Sequence, residues 1–137
     1  AAFATLPVGT DCSCDPCRNF TAAAGRTFLP AFLNITTSLG IDPTKPAELC
    51  HWTREPSGLY LTGGWFHFVG HIVAGVDAMQ HPDGTGAIQY QSLAPGIDIG
   101  FTRHTRLLPD AFSDLAVCQL EFQTYVPWVL ADARPPN

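Results

Sequence analysis

Three of the five cysteines fall within six residues, Cys12-Ser13-Cys14-Asp15-Pro16-Cys17. The spacing C-x-C-x2-C brings soft thiolate ligands into one small volume, as a Zn²⁺ site requires. Structural zinc is usually closed by four ligands, with sulfur at about 2.3 Å, so a fourth must come from elsewhere in the chain. Cys50 and its neighbour His51 are the first candidates, followed by Cys118. The leading expectation is therefore a metal-binding module. Cys12, Cys14, Cys17 and Cys50 would hold zinc and tie an irregular N-terminus to the junction of helix and sheet. Copper(I) would also suit three thiolates, whereas Mg²⁺ and Ca²⁺ prefer oxygen.

The same residues admit a redox reading. Cys14-Asp15-Pro16-Cys17 is a C-x-P-C motif at the start of a predicted helix. Unpaired N–H groups and the helix dipole lower a thiol pKa there. Over these four residues the motif resembles the active-site pair of thioredoxin-like oxidoreductases. That resemblance implies thiol–disulfide exchange at Cys14 and Cys17. A third reading is structural: a bridge between Cys14 and Cys17, or a long one to Cys50 or Cys118. Five is an odd number, so one thiol stays unpaired in a monomer. Cys118 falls on the apolar side of a predicted strand and reads as a buried small hydrophobe.

Among the histidines, His67 and His71 stand four residues apart in Trp65-Phe66-His67-Phe68-Val69-Gly70-His71. The aromatic and β-branched neighbours favour a strand, along which four residues span roughly 13 Å, too far for one metal ion. Both rings would then sit on one sheet face, where a small hydrolase could use them; half-buried, hydrogen-bonded histidines are the plainer reading. Glu121 alternates with apolar residues and faces water, flanked by Gln119 and Gln123. It can serve as a base only if that face is the wall of a pocket. No G-x-S-x-G elbow, G-x-G-x-x-G loop or Walker sequence is present.

These residues must be positioned by two kinds of element. Residues 1–15 read as an irregular, cysteine-containing lead-in. Residues 16–40 read as helical, with Asp15 as N-cap, Pro16 in the first turn and Gly40 as the stop. Phe20, Ala24, Phe28, Ala31, Ile35 and Leu39 recur every three or four positions and form one apolar face. Pro30 must kink that segment or divide it into two helices. Over 47–130 the period becomes two, with strands expected at 59–61, 65–74, 88–93, 97–105 and 116–130. The intervening turns are too short for parallel crossovers, so pairing is antiparallel. The fold class is α+β, the helices packing on a mainly antiparallel sheet of about five strands, as a meander or a partly closed barrel. Residues 131–137 read as a loose tail, and Trp128 as a residue that closes the core.

At 137 residues, 46% hydrophobic and 14% charged, the chain suits one globular domain and excludes a disordered or low-complexity one. Lys45 is the one lysine, and the net charge is −5. This balance argues against a nucleic-acid partner, whose phosphates need clustered Lys and Arg, and against a basic membrane-surface helix. No apolar run reaches the roughly 20 residues of a spanning helix. A soluble protein is expected, with export left open, since the first ten residues do not resemble a signal peptide. A protein or small-molecule partner remains open, as does an interaction domain with no metal or catalytic site.

Overall fold

A computed structural model describes residues 13–79, 81 and 86–137. The order of elements is α1 (Asp15–Thr27), α2 (Pro30–Ser38), β1 (Glu48–Arg54), β2 (Tyr60–Val69), β3 (Gln91–Ala94), β4 (Ile97–Thr102) and β5 (Val117–Val126). The strands form one open antiparallel sheet in the order β1-β2-β5-β4-β3, and the helices pack on one of its faces. The α+β expectation is met. Two hairpins, β1–β2 and β3–β4, are joined by β5, which pairs with both β2 and β4. The sheet is not closed into a barrel, and its order departs from a meander at β2, whose second partner is β5.

Pro30 divides the helical region as its chemistry demands. It opens α2 in the first turn, where a missing N–H costs nothing. The N-cap of α1 is Cys14 rather than Asp15; the aspartate lies one residue inside and places its charge in the positive first turn. Gly40 takes φ 71 just past α2, a left-handed stop that suits glycine. Phe20, Phe28 and Phe32 from the helices meet Phe66 and Phe122 from the sheet, with ring centroids of 5.2–6.0 Å between Phe122 and the other four. Buried aromatic pairs of this kind add about 0.5–1.5 kcal/mol each beyond their area. No helix among the described residues is long and apolar enough to cross a membrane.

Three local expectations change. The two strands expected at 59–61 and 65–74 are one, β2, which runs unbroken from Tyr60 and stops at Val69, not Ala74, because β5 begins at Val117 and offers no partner further on. Val73 and Val76 beyond it are 94% and 90% exposed, so the apolar run that imitates a strand is surface loop. β1 was hidden in a polar segment, as edge strands often are. The C-terminal residues are also anchored rather than loose. The Tyr60 hydroxyl donates to the Pro136 carbonyl, Trp128 donates to Ala133 O at 3.0 Å, and Arg18 pairs with Asp132 at 2.6 Å. Asn19 adds a clamp from α1: its amide donates to Pro127 O at 3.0 Å and accepts from Val129 N–H at 2.7 Å.

Candidate functional site

Strand register sorts the chemistry onto the face away from the helices. Cys50, Gly63, Gln123 and Asp98 lie in one row across β1, β2, β5 and β4. Trp65, Glu121 and Gly100 form the next row, and His67, Gln119 and Thr102 the third. Two glycines in mid-strand let other groups settle on this face. A Cβ at Gly63 would overlap the Trp52 indole, and one at Gly100 would stand 2.8 Å from Ala78 Cβ. Glycine inside a strand often marks such a close approach. A one-residue irregularity between His51 and Thr53 lies beside Trp52, whose indole covers Gly63.

The centre of the face is a connected polar network. Arg106, from the loop between β4 and β5, donates its backbone N–H to Gln119 Oε1 at 2.9 Å. Its carbonyl accepts from Trp65 Nε1 at 3.2 Å. Its guanidinium lies 4.3 Å from the centroid of the Trp65 ring and donates from Nη2 to Glu121 Oε1 at 2.7 Å. Gln119 Nε2 donates to the same oxygen at 2.6 Å, and His67 Nε2 lies 3.2 Å from Gln119 Oε1. Because that amide oxygen can only accept, His67 carries its proton on Nε2 in this contact. The next residue, Leu107, has φ 57 and is 61% exposed. A left-handed leucine costs about 1–3 kcal/mol and persists only where its surroundings impose it; here the imposing contacts are those of Arg106.

Burial sets the electrostatics. Glu121 is 3% exposed. Desolvation pushes its carboxyl up, against the pull of Arg106 and Gln119. Burial raises the Tyr90 phenol to about 12, with Glu121 adding to the effect. Cys50 also moves up, through burial and then Glu48 and Glu121. His67 moves down because burial opposes the charged ring, although the Arg106 carbonyl and Gln119 favour it. Above the network is a pocket of about 450 Å³, with Glu121 and Gln123 on its floor and Trp52, Trp65, Tyr90, Arg106 and Cys50 around them. The condition for a functional Glu121 is therefore met: its face is a pocket wall.

The expected zinc ligands are distributed differently. Cys12 lies outside the described residues. Cys14 caps α1 and is exposed, while Cys17 sits in its first turn and lines an apolar groove with Leu49, Pro46 and Leu130. Cys50 follows Leu49 in β1 and opens onto the opposite face, in the Glu121 pocket. The strand's alternation thus puts the thickness of the sheet between Cys17 and Cys50. His51 is the member of the pair that turns toward α1. Burial lowers its pKa against an opposing Pro16 carbonyl, its Nδ1 lies 3.3 Å from Thr62 Oγ1, and its buried Nε2 has no partner among the described residues. Among the described residues no three His, Cys, Asp or Glu side chains group as metal ligands would.

The paired histidines separate as well. His67 is buried beneath Gln119, and His71 lies beyond the end of β2 in an exposed loop, so they do not share a face. Cys118 is buried on the helix side with Sγ 3.4 Å from Gly70 O, the packed thiol expected of it. Arg106, Trp65, Tyr90 and Gln123 were not singled out by sequence reasoning. The available signal was the three in-strand glycines, Gly63, Gly64 and Gly100, flanking the alternation that carries Glu121. No family model, curated protein or solved structure matches the chain, so its site is read from its own geometry.

Proposed function

We propose that this chain is a small-molecule-binding module and that the pocket over the open sheet face is its site. One observation carries the reading. Glu121 is 3% exposed on the pocket floor and accepts both of its hydrogen bonds on Oε1. Its Oε2 accepts none from the described residues. That oxygen opens to the pocket, since among the described residues the one fully buried side-chain polar atom without a partner is His51 Nε2, so a ligand N–H there would take the place of water. Ligand sites commonly pair apolar walls with a few fixed polar groups in cavities of about 300–1,000 Å³, and this pocket has that composition.

Cys50 provides a built-in reporter, because its thiol lines the pocket. In a fragment screen by ligand-observed NMR, hits are expected to slow iodoacetamide alkylation of Cys50, followed on its own peptide by mass spectrometry. Hits that leave the alkylation rate unchanged would place binding elsewhere and end the proposal. The zinc reading at Cys12, Cys14, Cys17 and Cys50 has less support, since Cys50 faces this pocket while Cys17 faces the helix-side groove. Metal analysis of protein purified without added metal separates the two: stoichiometric zinc that is lost on replacing Cys14 and Cys17 would favour the thiolate site.

A further inference from the structure

Resting on the pocket reading, we infer that the ligand is a flat aromatic nitrogen base that presents an amidine-type N–H edge to Glu121. The argument is an inventory of donors and acceptors. Gln123 Nε2 donates to Asp98 Oδ2 at 2.9 Å. A carboxylate acceptor fixes the amide orientation, so Gln123 keeps its oxygen for the pocket. Glu121 Oε2 is the second open acceptor, two residues away on the same face of β5 and hence roughly 7 Å along the strand. The floor thus offers acceptors in want of N–H groups.

The cation in the pocket is already engaged. Arg106 is paired to Glu121 at 2.7 Å and lies over Trp65 at 4.3 Å, so its charge is balanced where it stands. With Arg106 and Glu121 cancelling one another, Asp98 in the neighbouring row leaves a negative balance that disfavours a carboxylate or phosphate ligand. An N–H edge meets no repulsion from Asp98 and reaches the Glu121 oxygen that Arg106 leaves open, where a hydrogen bond to a carboxylate is one of the stronger ones available. The walls select for flatness. Trp52, half exposed above Gly63, offers an indole face, and Tyr90 lines the same pocket. At about 450 Å³ the space suits one or two rings rather than a polymer.

Three monocyclic probes of similar size test the class: benzamidine, benzoate and benzyl alcohol. Binding is read by intrinsic tryptophan fluorescence and by protection of Cys50 from iodoacetamide. Benzamidine is expected to bind at least tenfold more tightly than benzoate and to protect Cys50. In Glu121→Gln that preference should shrink to within about twofold. The probe ranking on the unaltered protein stands by itself if Glu121→Gln does not fold. Benzoate binding as tightly as benzamidine, with Cys50 protected, would overturn the nitrogen-base class and leave the pocket standing. Protection of Cys50 by none of the three, at concentrations into the millimolar range, would overturn both.

Discussion

On β5, Cys118, Leu120 and Phe122 turn toward the helices, while Gln119, Glu121 and Gln123 turn away. The two sets come from alternate residues of one strand, and their central members are almost equally inaccessible: Phe122 and Gln119 are both 0% exposed and Glu121 is 3%. Alternation in a sequence therefore reports chemical sidedness, and what lies on top decides exposure. On one face the cover is two helices with phenylalanines. On the other it is a loop carrying Arg106, a segment around Ala78 and Ile88, and an indole lying over a glycine. The first cover is apolar. The second leaves a pocket with a carboxylate on its floor.

The largest test of this contrast removes the centre of the helix-side face. Phe122 stands within 6.0 Å, centroid to centroid, of Phe20, Phe28, Phe32 and Phe66. Phe122→Ala is expected to lose about 3–5 kcal/mol in chemical unfolding, as large-to-small core changes do. If the loss is below about 1 kcal/mol, the helix-side face does not dominate stability and the division between the faces is wrong.

On the open face the corresponding change adds volume. Gly63→Val places a side chain against the Trp52 indole, with the Phe122 carbonyl oxygen 2.9 Å from the new Cβ. Overpacking of this kind costs about 1–3 kcal/mol. The indole is 50% exposed and can swing outward, but the Phe122 backbone oxygen cannot, so the loss should fall near the upper end of that range. Displacement of Trp52 should redden tryptophan emission and weaken every pocket ligand. Unchanged emission, with stability unchanged, would mean that the indole does not rest on Gly63.

The helix side was legible in the sequence because its signals are local and redundant. Pro30 and Gly40 mark helix boundaries, Phe20, Ala24 and Phe28 share a face, and Ile97, Ile99 and Phe101 alternate cleanly in β4. The open-face site was only half legible. Glu121 could be placed on the polar side of β5, but its partner Arg106 comes from a loop fifteen residues earlier, a pairing that no period announces. β1 was missed because Glu48, His51, Thr53 and Arg54 lack the apolar alternation of a half-buried strand. The compact spacing of Cys12, Cys14 and Cys17 imitates a ligand cluster. Which way Cys50 points depends on the register and parity of an edge strand that was itself missed.

The smallest effect is a pH dependence with one histidine on each face. Burial lowers the pKa of His51 on the helix side and of His67 on the open side. Ordinary histidine titrates near 6.5 in an unfolded chain. A depressed folded pKa means that the unfolded state binds the proton first, so stability is fully present above about pH 6.5 and is lost as pH falls through the folded values. Glu121 acts in the opposite sense. Its raised pKa gives stability that is present below the unfolded value of about 4.3 and lost as pH rises through the folded one. The expected profile declines below pH 6.5 and then flattens as Glu121 takes up its proton. Each group contributes a slope of at most about 1.4 kcal/mol per pH unit. His67→Gln can still donate to Gln119, so it should leave stability at pH 8 within about 1 kcal/mol while reducing the decline between pH 6.5 and 5. His51→Gln should reduce the remainder, and Glu121→Gln should remove the flattening alone. Thermal unfolding from pH 4 to 8 reads all three. A decline that persists unchanged in both histidine variants would show that neither buried ring governs it.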